Sequence, residues 1–178
     1  MSTWKTHGLR GSVFEELINK TNEKYLDMGL ACIQKIPTPI TPVNMNASKQ
    51  ITLAYFDQKS TVDYIGVVQG VPVCFDAKEC KTDRFPLANI HEHQVSFMEN
   101  FEAQEGVAFF LLYYTEKDLM FYLPFDMFKF FWDRALEGGR KSFNLDELNP
   151  DFQIKPNEGV FVPFLEPLKK DLEERDVT

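Results

Sequence analysis

The stretch from Thr61 to Glu79 constrains this chain more than any other. It reads as two apolar runs, residues 61–68 and 71–79, joined by Gln69-Gly70. A two-residue connection of this kind closes a β-hairpin and fixes its register. Equal offsets from the turn face each other, so Asp63 lies opposite Asp76. Like charges placed opposite are destabilising unless a cation sits between them. Side chains alternate along a strand, so Lys78 shares the face of Asp76, in the company of Cys74 and Cys80. Two carboxylates and a lysine so placed suit a metal-dependent phosphodiesterase. The carboxylates hold Mg²⁺, water and phosphate complete its shell, and the lysine orients or activates the attacking water. The plain alternative is a solvent face on which a lysine neutralises two acids.

The remaining segments predict an α/β chain. Phe14, Leu17, Ile18, Tyr25 and Leu26 form a helical stripe ending near Gly29, with Ser12 and Glu15 as a capping box. Residues 30–36 predict a strand. Pro37, Pro39 and Pro42 then preclude a helix or a central strand. The chain to about Asn46 is therefore expected to be extended and mostly unladdered. Residues 51–56 read as an exposed strand, and the two pieces together predict a protrusion. A helix is expected over residues 88–104, with the stripe Ile90, Gln94, Phe97, Met98 and Phe101. Residues 107–114 are continuously apolar, as in a buried strand, and residues 119–123 predict another. Pro124 opens a helix carrying Met127, Phe128, Phe131 and Trp132, which stops at Gly138-Gly139. This order predicts a mixed central sheet.

With 178 residues, 44% hydrophobic and 26% charged, the chain fits one globular domain. No apolar run reaches the roughly 18 residues of a membrane helix, and the first residues lack the apolar core of a signal peptide. Cys32, Cys74 and Cys80 have no metal-finger spacing and read as free thiols in a reducing compartment, the cytoplasm. A net charge of −8 speaks against nucleic-acid binding through a generally basic surface. The acid is concentrated, however. Residues 1–60 balance at +2, residues 61–100 at −3 and residues 101–178 at −7, with Asp171, Glu173, Glu174 and Asp176 in a tail over 168–178. A basic face survives in the first third.

Other side chains compete for a role. Glu15 could supply a third carboxylate, with Glu16 as its rival and helix capping as its ordinary use. His91 and His93 are two apart, do not share a helical face, and lack a third zinc ligand. Gln94 interrupts an apolar stripe. A buried amide needs partners, so it is either a core polar residue or a link to the Asp76 strand. No phosphate loop, nucleophile elbow or dinucleotide fingerprint is present, and Gly138-Gly139-Arg140-Lys141 reads as a helix stop followed by solvated charge.

Taken in order, several stretches carry a family resemblance. They are Arg10-Gly11 leading into Phe14-Glu15 and Thr21-Asn22, then Ile36-Pro37-Thr38-Pro39, then Ala54-Tyr55-Phe56 running into Ser60-Thr61-Val62-Asp63-Tyr64-Ile65-Gly66. Phe75-Asp76-Ala77-Lys78-Glu79, Phe85-Pro86-Leu87, His91-Glu92-His93-Gln94, Phe130-Phe131-Trp132-Asp133 and Gly139-Arg140-Lys141-Ser142 complete the set. The chain resembles the PD-(D/E)xK nuclease superfamily and, within it, the RecU-type Holliday-junction resolvases of Gram-positive bacteria and their phages. The resemblance spans about residues 8–145.

That resemblance implies a restriction-endonuclease-like αβββαβ core and a projecting stalk over about residues 37–59. It implies a homodimer cleaving four-way DNA junctions with Mg²⁺, or Mn²⁺ in its place. A recombinase or branch-migration helicase would be a further partner. Asp63 and Asp76 match the metal-binding acids, Lys78 the catalytic lysine, Glu15 the acid of the first helix, Thr61 a site threonine and Gln94 the glutamine of the following helix. Arg10 matches a DNA-contacting basic residue. Two departures stand out. The family usually has Glu where this chain has Asp76, which would set the metal a methylene closer to the strand. The stalk has only Lys49 and Lys59 as cations, so its grip rests more on Tyr55, Phe56 and extended backbone. The rival readings are a restriction or repair endonuclease of the same superfamily and a non-catalytic module that binds junctions or a recombinase.

Overall fold

A computed structural model describes residues 13–37, 40–56, 61–157 and 159–175. Its centre is a six-stranded mixed sheet in the order β1-β4-β5-β7-β8-β10. The strands are β1 (Ala31–Lys35), β4 (Tyr64–Val68), β5 (Val71–Cys80), β7 (Val107–Tyr114), β8 (Leu119–Pro124) and β10 (Gln153–Ile154). Only β5 and β7 run parallel. Helix α2 (Glu92–Glu102) supplies the crossover that such a pair needs. Helix α1 (Val13–Asp27) precedes β1, which with β4, β5, α2 and β7 completes the expected αβββαβ core.

The β4–β5 register is the one the turn dictates: Tyr64 faces Phe75 and Val68 faces Val71. Gln69 and Gly70 both have positive φ, 47° and 95°, as a type I′ turn demands. The ladder ends at Tyr64, so Asp63 sits one residue before the strand.

Both faces of the sheet are covered. On one, α1 and helix α4 (Leu165–Arg175) pack through Phe14, Ile18 and Leu168, with Phe164 just before α4, onto Phe75, Phe109 and Tyr122. On the other, α2 and α3 (Phe125–Leu136) bring Met98, Phe128 and Phe131 onto Cys74, Phe110 and Leu112. The chain's many phenylalanines find their use here. Tyr64, Phe75, Phe109 and Tyr122 stack in a row across four strands, with ring centroids 4.7, 4.7 and 4.4 Å apart. Such cross-strand aromatic pairs hold neighbouring strands in register.

Three expectations are corrected. The proline segment is laddered: β2 (Ile40–Met45) pairs with β3 (Ile51–Phe56) as a separate two-stranded ribbon. Pro42 lies opposite Ala54, with the register shifting just after it. A two-stranded ribbon has two outer edges, where a missing donor is harmless. The second helix starts at Glu92 and not Ala88, because Leu87–Asn89 forms a 3-10 turn first. The stretch that reads as an acidic tail is helical to Arg175, with Leu168 and Asp171 buried. The sequence reading also passed over the short pair β6 (Arg84–Pro86) and β9 (Ser142–Asn144), in which Phe85 stacks on Phe143.

Candidate active site

Alternation along β5 sends Phe75, Ala77 and Glu79 toward α1, and Asp76 and Lys78 toward α2. Asp76 is fully buried, and its Oδ2 is held twice. Lys78 Nζ donates to it in an ion pair, and Gln94 Nε2 donates to it at 3.0 Å. Gln94 is fixed in turn, because its Oε1 accepts the backbone N–H of His91 at 3.1 Å. The amide therefore bridges the start of α2 to the buried carboxylate.

Asp63 comes in from the mouth of β4. Its Oδ2 accepts the Ala77 N–H at 3.0 Å, and its own carbonyl accepts the Ile36 N–H at 2.8 Å, just past β1. Burial and the Asp63 carboxyl push Asp76 up to about 8, against the opposing pull of Lys78. Lys78 relieves part of the repulsion between the opposed acids. Burial and the charges of Glu15, Asp63 and Asp76 hold the Tyr64 phenol well above its ordinary value. That hydroxyl stays a donor. It reaches Asn19 Oδ1 at 2.9 Å and the Glu15 carbonyl at 3.4 Å, which ties α1 to the site.

Glu15 lies on α1, across the sheet from Gln94, and its carboxylate is ion-paired with Lys35 of β1. The first turn of α1 is tethered by Glu79, whose Oε1 accepts the Phe14 N–H at 3.1 Å. Lys35, Tyr64 and Glu79 were not singled out from sequence. Glu79 and Phe14 are 65 positions apart, and the only cue was an acid on the α1-facing side of β5, where an orphan helix N–H needs an acceptor. Thr61 is half-buried, two residues ahead of Asp63. His91 precedes α2 and His93 lies in its first turn, their rings stacked 5.4 Å apart.

The ribbon β2–β3 carries Lys49 at its turn, with φ of 60°, and an exposed Tyr55. Arg10, Ser12 and Lys59, and the side chain of Phe56, lie outside the described residues.

The fit to a metal rests on one atom. Asp76 Oδ1 is buried and accepts no hydrogen bond. An acceptor left in that state is costly unless it gains a proton or a cation. Two carboxylates are a hard oxygen donor set of the size Mg²⁺ or Mn²⁺ uses, with water and phosphate completing the shell. Among the described residues, no three His, Cys, Asp or Glu side chains are gathered closely enough to enclose an ion. The arrangement brings Asp63 and Asp76 together and leaves Glu15 with Lys35.

An αβββαβ core with an acid at the mouth of its second strand and an acid–x–lysine run on its third is a restriction-endonuclease-like fold. The chain belongs to the Recombination protein U (RecU) family, whose profile matches residues 9–170. It is 41% identical over 152 residues to Holliday junction resolvase RecU of Oceanobacillus iheyensis, covering 83% of this chain and 78% of that protein. It is also 41% identical over 181 residues to the protein of that name from Lactococcus lactis, covering 95% and 84%. The Bacillus subtilis protein of that name is 41% identical over 144 residues, covering 78% and 69%. A solved structure of Archaeoglobus fulgidus Hjc, a Holliday junction resolvase, aligns over 62% of this chain and 78% of that chain. At 9% identity and a TM-score of 0.37, that likeness is too remote to bear on the site.

Proposed function

We propose that this chain is a structure-selective endonuclease that cuts four-way DNA junctions as a Mg²⁺-dependent homodimer. The observation that carries the chemistry is the buried Asp76. One of its oxygens is fixed by Lys78 and Gln94, and the other is buried without a hydrogen bond. Membership of the RecU family, with relatives named Holliday junction resolvase, supports the choice of substrate.

Asp63 and Asp76 would hold Mg²⁺, which when bound supplies a water of lowered pKa and a positive charge at the scissile phosphate. Lys78 stands beside Asp76 with its side chain 20% exposed, placed to orient water or neutralise charge on the phosphate in the transition state. Gln94 holds the carboxylate at a fixed angle. The site reads backbone and not base edges, so selectivity falls to shape. The ribbon β2–β3 is the element suited to a junction's central opening. It exposes Ile40, Met45, Ile51 and Tyr55, and an isolated two-stranded ribbon is marginal in water. A second copy covering part of it would relieve that exposure, and the two-fold symmetry of a homodimer suits cuts in two opposed strands.

The test is cleavage of a mobile four-way junction with and without Mg²⁺, using the parent and Asp76→Asn. We expect symmetric nicks that require Mg²⁺ and fall by at least about 100-fold in the variant, the scale of one lost electrostatic contact at a reacting centre. Undiminished cleavage by Asp76→Asn would overturn the metal site. Tight junction binding without cleavage by the parent would favour the binding module.

A further inference from the structure

The face of the sheet covered by α2 and α3 carries an apolar hollow that the proposed chemistry does not use. Its volume is about 400 Å³, within the range of small binding pockets. Its floor is Leu87 and Ile90, both buried, at the two ends of the 3-10 turn. One wall is the last part of α3, with Trp132, Ala135 and Leu136. Trp132 packs on the buried Phe128, ring centroids 5.8 Å apart, so the wall is held in place. Leu136 is 71% exposed and leaves a large apolar side chain in water at the rim. The lining has one charge, Lys141, whose carbonyl accepts the Leu87 N–H at 3.1 Å. The nearby guanidinium groups of Arg134 and Arg140 are both paired with Glu147. The Lys141 ammonium has no ion-pair partner among the described residues.

We propose that this hollow docks a peptide segment of a partner protein, one that carries a bulky apolar residue next to an acid. The apolar residue fills the hollow, as an anchor side chain does at the centre of an interface. The acid meets Lys141 at the rim. The charge pattern chooses this occupant. The chain has a net charge of −8, yet it leaves this cation without a carboxylate, and an acidic partner supplies the complement. A second copy related by a two-fold axis would set hollow against hollow and lysine against lysine. Single-stranded nucleic acid binds such surfaces by stacking bases on aromatic rings. The one ring in this lining, Trp132, is already packed on Phe128. The hollow is thus shaped for a side chain and charged for an acid.

The experiment uses the full chain as bait for a phage-displayed library of random dodecapeptides, beside Leu136→Ser and Lys141→Glu. Both substituted side chains are exposed, and thermal melts verify folding. The parent is expected to enrich peptides that place Leu, Phe or Trp next to Asp or Glu. A synthetic consensus peptide, followed by fluorescence anisotropy, should bind Leu136→Ser at least about tenfold more weakly, the loss of an anchor contact. It should bind Lys141→Glu at least about fivefold more weakly, the scale of an exposed ion pair. Peptides selected on Lys141→Glu should exchange their acids for bases. Sedimentation and junction affinity of Leu136→Ser should match the parent. Failure of the parent to enrich such peptides overturns the inference, as does a consensus peptide that binds both variants as tightly as the parent. A smaller sedimenting species in Leu136→Ser would assign the hollow to a second copy, and a loss of junction affinity would assign it to DNA. Either result also overturns the peptide site, and none of these outcomes bears on the metal-dependent reading above.

Discussion

A carboxyl sealed between a second carboxyl and a lysine titrates late. In an unfolded chain Asp76 would lose its proton near 3.8, whereas in the folded, metal-free protein it keeps it to about 8. Across that window the folded state binds the extra proton, so stability is full below it and drains away as pH rises through it. Asp76→Asn carries no such proton. In EDTA, the thermal midpoint of the variant should climb relative to the parent from about pH 4 to about pH 8 and then level off. A gap that stays constant with pH would refute this account of Asp76. Gln94 has a separate prediction. Replacing it with Leu strands the His91 N–H and deprives Asp76 Oδ2 of one donor, at a cost of roughly 1–3 kcal/mol by chemical denaturation. Junction cleavage should fall by more than this loss of folded protein explains. The Asp63–Asp76 opposition was legible in sequence because Gln69-Gly70 admits one register. The Gln94–Asp76 bond was visible only as an anomaly, an amide on an apolar stripe, because its partner is 18 positions away.

Among the elements, the ribbon β2–β3 most separates shape recognition from chemistry. Replacing residues 40–56 by a short Gly-Ser link should leave the body folded, since no core cluster draws on the ribbon. The product should bind junction and linear duplex alike. A tenfold or greater junction preference (about 1.4 kcal/mol) that survives the deletion would exclude the ribbon from recognition. Its pairing was hidden from the sequence because three prolines argue against ladders in general, and the exception depends on which edge each one faces. By contrast, β7 announced itself, since eight consecutive apolar residues leave little choice but a strand covered on both sides.

At the scale of the whole molecule, the layers are locked by a polar network in an otherwise aromatic core. Tyr122 of β8 donates to Asp171 of α4 at 2.6 Å. Arg175 donates to Asp171 and to Glu102 at the end of α2, at 2.8 Å each. Glu102 in turn accepts the Ala108 N–H at the start of β7. Arg175→Ala should cost about 1–3 kcal/mol, since it leaves Asp171 charged and buried against Tyr122. A loss below 0.5 kcal/mol, the usual scale of a surface change, would mean α4 is only loosely docked. The dense charge of residues 165–175 concealed this role. Sequence shows charge but not which carboxylate is buried, and Asp171 is buried through partners 49 positions upstream and four downstream. The ribbon also relates to the body in a simple way. The chain leaves the body for the ribbon after Ile36 and is back in it at Asp63, and these two residues are joined where Ile36 donates its N–H to the Asp63 carbonyl. The insertion is thus rooted at the acid proposed to grip the metal, and a substrate that pulled on this root would be felt at that acid.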